Sequence, residues 1–377
     1  MVKTTRIGIV GLGWVARDYM LPAIAAAGER AELTAVLSLR EEDFADLPNS
    51  VRCFNNLDEF LAADLVDAVY IATPNHLHRE QTIACLDAGL HVLCEKPLAL
   101  TPDAVSIMKG AAERNQRLLV TAYDQRHHPA HREMRNIIRA GKLGTITQAR
   151  IDYACWLPKE WSGDNWRINR KKAGGGAIID LAPHGLDLLE WLLEDPIAEV
   201  HCFQQSLVQN YSVDDGGVLS IRFESGTLAA QTVGYNRPET LPRRKLEIIG
   251  TQGMLTAENT MGQDAGGQLT FTDAETGTTE NIPFDAKTGP FTHQLTNFLD
   301  RIHQAPTDNT ELEATLRQVN LLHRALRISQ PPAPKSLIAS RPTHQVERPS
   351  ASDSHPRYDP YAVLESFANI DVYGSKE

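Results

Sequence analysis

Residues Thr5–Gly28 read TRIGIVGLGWVARDYMLPAIAAAG. A short apolar run, RIGIV, enters a turn in which Gly11, Gly13 and Ala16 hold G-x-G-x-x-A spacing, and a helical pattern follows. Each small residue has its own task. Gly11 permits the tight turn, Gly13 lets backbone approach a pyrophosphate, and Ala16 lets the helix pack closely on the strand. The helix start then offers unpaired N–H groups and a partial positive charge to phosphates. Strand, turn and helix in this order predict a dinucleotide site.

The alternation continues through the first third of the chain. LTAVLSL, DAVYIAT, HVLCE and RLLVTAY read as strands, with helices at LDEFLAAD, HREQTIACLDAG and TPDAVSIMKGAAERNQ between them. Thr101 and Pro102 give the last of these helices a cap and a first residue, and Gly28 and Gly89 are candidate C-caps. Short strands alternating with helices mean a parallel sheet of βαβ units. An α/β Rossmann domain is therefore expected over residues 1–125. From about Thr145 the runs lengthen and become β-rich, as in TITQARIDYACWL, EVHCFQQSLVQN, GGVLSIRFES, GTLAAQTVGY, RKLEIIG and GQLTFTD. Helices interrupt them near Gly174–Leu193, Pro290–Gln304 and Thr310–Ser329. This predicts an α+β domain with a large open, mainly antiparallel sheet over residues 126–330. The Pro-, Ser- and Arg-rich stretch 331–377 reads as an extended or disordered tail.

A 377-residue chain with 42% hydrophobic residues is long enough for two or three domains. A formal charge of -11 argues against nucleic acid or an anionic membrane as partner. No apolar run is long enough to span a bilayer, and no basic-then-apolar leader precedes the first strand. Cys53, Cys85, Cys94, Cys155 and Cys202 are scattered and odd in number, without a C-x-x-C pair. They read as reduced thiols of a cytoplasmic protein, with neither a disulfide frame nor a zinc site.

The end of the second strand bears on the cofactor. An acid is usual there, accepting hydrogen bonds from the ribose hydroxyls. Here the strand ends in Ser38, with Arg40 just beyond. A hydroxyl and a guanidinium accept a 2′-phosphate that a carboxylate would repel, so NADP(H) is favoured over NAD(H). Ligands of such sheets lie at the carboxyl ends of the strands. Gly11, Gly13, Trp14, Val15, Ser38, Arg40, Thr73, Pro74, Asn75, His78, Glu95 and Lys96 are accordingly the expected cofactor contacts.

Farther on, Gly174–Leu189 read GGGAIIDLAPHGLDLL. Asp180, His184 and Asp187 fall at i, i+4 and i+7, one stripe of a helix. Charges do not belong in so apolar a segment unless they are paired or used. The glycines are expected to let the chain pass close to substrate or nicotinamide, and Pro183 predicts a kink across the polar row. Asp187 reads as a structural cap or ion-pair partner.

GLGWVA, ATPNHLH, CEKPLAL, GKLG and GGGAIIDLAPHGLD occur in that order between residues 5 and 330. Together they resemble the Gfo/Idh/MocA family of NAD(P)-dependent dehydrogenases. The resemblance implies that Lys96 contacts the nicotinamide ribose and the reacting substrate oxygen, and that Asp180 and His184 are the catalytic aspartate and histidine. It also implies a homodimer or homotetramer joined through the open sheet. Two departures are Ala182, where glycine is common, and Ser38. On this reading His184 exchanges a proton with the substrate hydroxyl as hydride is exchanged with the nicotinamide. Asp180 orients or polarises that relay, and the Lys96 ammonium stabilises the oxyanion.

The substrate is expected to be a sugar, a polyol or a related small molecule with a secondary alcohol or carbonyl. Trp156, Trp161 and Trp166, interleaved with Lys159 and Arg167, suit a sugar ring with its hydroxyls or a carboxylate. Arg126 is a further candidate contact, and His127, His128 and His131 read as cleft-edge or surface residues. No ligand set for a metal is spaced along the chain. Two other functions use the same scaffold: a non-catalytic nucleotide-binding regulator and a redox-assisted glycoside hydrolase.

Overall fold

In a computed structural model of the protein, the residues described are 4–158, 160, 165–304 and 307–328. The expected tail, with Lys159 and Trp161, lies outside them. The first sheet contains β1 (Thr5–Val10), β2 (Ala31–Leu37), β3 (Arg52–Phe54), β4 (Ala68–Ile71), β5 (His91–Glu95) and β6 (Leu119–Ala122). All of its pairings are parallel, in the order β3-β2-β1-β4-β5-β6. A parallel sheet is covered on both faces, which explains why β4 is buried at every position. The order reverses between β1 and β4, and that reversal opens the ligand crevice at their carboxyl ends. β3 escapes sequence reading because it is three half-exposed residues without a hydrophobic period.

The covering helices start with a wide π turn at Ala16–Met20 that runs into α1 (Leu21–Ala26). α2 (Leu57–Ala62), α3 (His78–Asp87) and α4 (Pro102–Arg114) follow. Thr101 Oγ1 caps α4 by accepting from the Ala104 N–H at 3.3 Å. Gly28 and Gly89 take the left-handed conformation expected of helix ends, with φ of +57° and +82°.

α5 (Pro129–Arg139) leads into β7 (Ile146–Ala154), and α6 (Arg170–Ala173) and α7 (Ala177–Leu193) come next. The second sheet is completed by β8 (Ile197–Gln205), β9 (Gly216–Phe223), β10 (Leu228–Gly234), β11 (Arg244–Gly250), β12 (Gly253–Glu258), β13 (Gln268–Asp273) and β14 (Thr279–Asn281). Its order is β14-β13-β12-β11-β7-β10-β9-β8, antiparallel except where β7 and β10 run side by side. α8 (Pro290–Ile302) returns to the first sheet, where Phe291, Leu295 and Phe298 join the cluster of Ile7 and Ile9. α9 (Glu311–Ile328) closes the described chain. No helix among the described residues is long and apolar enough to cross a membrane.

α7 packs on the second sheet through Ile178, Leu181, Leu188 and Leu192, in one cluster with Ile221 and Val233. It is helical throughout, with Pro183 in its interior. An interior proline costs about 3 kcal/mol. Each buried leucine returns roughly 1.5–3 kcal/mol, so the apolar face outweighs the defect. The glycines before α7 serve the protein's own packing. Gly174 has φ +88°, and a Cβ on it or on Gly176 would overlap Leu100 or the Asp214 carbonyl oxygen. The Asp214 carboxylate accepts from the Gly176 and Ile178 N–H groups, both at 2.8 Å, and so caps α7. Asp214→Ala strands those buried donors and should lower stability by about 1–3 kcal/mol. Urea unfolding reads this directly, and an unchanged midpoint would count against the cap.

Candidate active site

Lys96 follows the last residue of β5 and is joined to Pro97 by a cis peptide. Its ammonium reaches into the first turn of α7, donating to Asp180 Oδ1 at 2.8 Å and to the Asp180 carbonyl at 3.0 Å. The other carboxylate oxygen accepts from the Tyr235 hydroxyl at 2.6 Å. Burial works to raise the Asp180 pKa. Lys96, Arg167 and these hydrogen bonds outweigh it and hold the carboxyl well below the usual range. The pair therefore stabilises the fold at neutral pH, and that contribution is lost as pH falls through the acid range.

One turn along α7, His184 is 2% exposed and packs edge-on to Tyr153. Its Nδ1 lies 3.2 Å from Asp124 Oδ1, within ion-pair reach but off the axis of a good hydrogen bond. Burial pushes the imidazole below 6.5 and the Lys96 charge pushes it further, while Asp124 pulls it back. The ring is neutral at pH 7. Its Nε2 is buried and has no hydrogen-bond partner among the described residues. A neutral imidazole nitrogen without a partner, one helical turn from an ammonium–carboxylate pair, can exchange a proton with a bound hydroxyl. The ammonium can stabilise the oxygen left behind.

The glycine turn leaves room for a dinucleotide. Gly11 has φ +92°, and a Cβ there would meet Ala72 backbone at 3.0 Å, whereas a Cβ on Gly13 would meet nothing within 4 Å. The protein's own packing demands the first glycine but not the second, which fits a space kept for pyrophosphate. At the end of β2, Ser38 Oγ donates to Asp43, and Arg40 Nη2 and Arg17 Nη2 reach the same carboxylate at 2.7 and 3.0 Å. Two guanidiniums thus face one buried carboxylate, with Glu41 and Glu42 in the same turn.

Residues 5–123 match the model of an oxidoreductase family with an NAD-binding Rossmann fold, Gfo/Idh/MocA, and residues 131–256 match the Gfo/Idh/MocA C-terminal domain. The chain belongs to the Gfo/Idh/MocA family. It is 35% identical over 272 residues to a 1,5-anhydro-D-fructose reductase of Ensifer adhaerens, covering 72% of this chain and 80% of the relative. It is 27% identical to an NADP(+) D-xylose 1-dehydrogenase of Haloarcula marismortui, covering 67% of this chain and 72% of that one. An aldose-aldose oxidoreductase from Caulobacter crescentus shares the fold, with a TM-score of 0.76 at 24% identity, covering 87% of this chain and 98% of its own.

Against this family frame, several expected contacts have other employment. His78 is fully buried, with Nδ1 3.0 Å from the Pro97 carbonyl and Nε2 2.9 Å from that of Thr73. It ties the two strand-end loops together and does not line the crevice. The Asn75 side chain is likewise committed, donating to the Ala173 carbonyl at 3.0 Å. Thr73 Oγ1 donates to Gln81, and Pro74 precedes the short turn Asn75–Leu77. Glu95 accepts from the Tyr70 hydroxyl at 2.6 Å, and burial pushes its carboxyl up to about 7. Trp14 and Val15 remain partly accessible at the glycine turn.

Arg126, expected at the substrate, makes a bidentate pair with buried Asp187 at 2.6 and 2.5 Å, and a third contact to Glu311 at 3.3 Å. Its fork is filled by structural carboxylates. His128 and His131 are fully buried, contrary to their surface reading, because α5 turns its first face inward. His131 spans the Gln125 carbonyl and the Thr260 hydroxyl, and His128 caps α5. Arg167 lies over both Trp14 and Trp166, at 5.8 and 4.5 Å. Trp156, 38% exposed, pairs with Asn236. Arg167 thus joins Trp14 and Trp166, with Asp180 in its field.

Sequence reading paired Asp180 with His184. The structure gives His184 to Asp124 and Asp180 to Lys96 and Tyr235. Asp124 carried a signal that went unused, since it follows the carboxyl end of β6. Tyr235, after β10, and Arg17 and Asp43 carried none. Because Asp124 holds the imidazole pKa up, Asp124→Asn should shift it further below 6.5. The His184 ring resonances, titrated by NMR, give the value, and an unmoved or raised pKa would remove Asp124 as the partner.

Proposed function

We propose that the chain interconverts a secondary hydroxyl and a carbonyl on a sugar, polyol or related small molecule, with NADP(H) preferred over NAD(H). Lys96, Asp180 and His184 are the catalytic residues, and Asp124 positions His184. The reading rests above all on the buried, neutral His184 with its unpartnered Nε2 beside the Lys96–Asp180 pair. Gly11, Gly13, Trp14, Ser38, Arg40 and Arg17 would hold the dinucleotide. When bound, the nicotinamide supplies the hydride acceptor or donor.

The chain's own part is proton and charge handling. In the oxidative direction His184 Nε2 takes the hydroxyl proton, and Asp124 stabilises the imidazolium that results. Lys96 donates to the same substrate oxygen and lowers the cost of its negative charge. Asp180, kept ionised, keeps Lys96 aimed. In the reductive direction the imidazolium returns its proton to the oxygen. The names of the reductase from Ensifer adhaerens and the xylose dehydrogenase from Haloarcula marismortui support a carbohydrate substrate, and the second name supports NADP(H).

Oligomerisation through the open face of the second sheet is part of the proposal. Phe203 and Val218, opposite each other on β8 and β9, and Leu228 on β10 are exposed on the described chain. Apolar side chains on an uncovered sheet suit a homodimer or homotetramer. Light scattering that returns the monomer mass would remove this part.

Lys96→Met and His184→Ala should each lower kcat by roughly 10²–10⁴-fold with dinucleotide still bound. Following NADPH and NADH absorbance across sugars, polyols and keto-sugars measures this, and wild-type turnover in both variants would defeat the mechanism. Oxidation should stay level through neutral pH and decline only at a pH lower than that of an ordinary imidazole, as His184, whose pKa is lowered, becomes protonated. In the same assay Arg40→Ala should weaken NADPH more than NADH; equal loss would return the cofactor assignment to NAD(H).

A further inference from the structure

A large polar groove, separate from the dinucleotide crevice, runs between α5 and α8, floored by β6 and the start of α9. Arg132, Arg135 and Arg139 line it from one face of α5, joined by Arg126, Arg301 and His293. Their carboxylate partners are too few to neutralise them. Arg126 pairs with Asp187 and Glu311, Arg301 shares Glu311, and Arg135 and Arg139 share the single carboxylate of Glu194. Asp300, also in the lining, is taken by Arg30. Arg132 is exposed and has no ion-pair partner among the described residues. His293 Nε2 is buried without a hydrogen-bond partner among them.

Five guanidiniums facing three carboxylates leave a concentrated positive field in a concave site, on a chain whose overall charge is -11. The crowding is felt locally: burial first, and then the Arg132 charge, hold His293 below its usual pKa. Arginine forks favour phosphate and carboxylate oxygens, which accept two parallel hydrogen bonds. A neutral sugar gains nothing from such a field.

We propose that this groove is a second, non-catalytic binding site for a small, multiply charged anion of the phosphate-ester or diphosphate class. Its position relative to the catalytic site follows from α7. Arg126 lines the groove, and its partner Asp187 lies one helical turn beyond His184. The groove therefore adjoins the element that carries the imidazole without including Lys96, Asp180 or His184.

The test is calorimetric titration of pyrophosphate into the full chain, saturated with whichever of NADPH or NADH binds more tightly, at fixed ionic strength. Saturation keeps the probe out of the dinucleotide site. The expected result is binding of one pyrophosphate per chain, weakened about tenfold or more in Arg132→Glu and in Arg139→Ala. Arg132 has no partner to lose, so that variant should keep the parent's melting temperature and its turnover of sugar substrates. Absence of binding to the saturated chain, or equal binding by parent and both variants, would overturn the site. Loss of turnover in Arg132→Glu with the fold intact would overturn its separation from catalysis.

Discussion

The ammonium of Lys96 sits 2.8 Å from the carboxylate of Asp180, with both side chains largely withdrawn from water. Removing one partner of such a pair leaves an uncompensated buried charge, at a cost of about 3–5 kcal/mol. The contact joins the end of β5 in the dinucleotide sheet to the first turn of α7 on the second sheet. It therefore fixes how far the crevice lies from the helix that carries His184. The same ammonium helps keep the imidazole neutral. One positive charge thus sets both a distance and a protonation state.

The carboxylates around α7 divide the remaining work by partner. Asp180 answers to Lys96 and Tyr235, Asp124 to His184, and Asp187 to Arg126. Asp180 and Asp187 share a stripe but stand about 10 Å apart along the axis, far enough for separate partners. Burial works to raise both carboxyls; Lys96, Arg167 and the Tyr235 hydroxyl overcome it at Asp180, whereas Arg126 does not at Asp187, where Glu311 and Glu190 add to it. Asp180 is held low, whereas Asp187 is pushed up to about 6. Position along one helix, more than residue type, separates the carboxylate that meets Lys96 from the one that meets Arg126.

Asp43 has a comparable role at the cofactor end. A carboxylate three residues beyond Arg40 gathers Ser38, Arg40 and Arg17 into one cluster. The acid usual at a strand end has in effect moved into the loop and gained two arginine partners.

The local signals were legible in the sequence because they depend on neighbours in the chain. The glycine spacing after β1, the Thr101 cap, the C-terminal glycines and the alternation along β9 all arise within a few residues, and the structure keeps them. The parallel first sheet and the mainly antiparallel second one followed from the same periodicities. Pairings between distant residues did not, since no short-range rule links Asp124 to His184 or Tyr235 to Asp180. α7 passes through Pro183 because the sheet beneath it outweighs a local preference. His78 and Arg126 look like ligand contacts until their partners, far away in sequence, are known. The sequence determined which groups were available for chemistry. Only the packing of α7 on the second sheet and its neighbouring helices decided which of them meet, because burial obliges each charge to find the partner that the fold brings within reach.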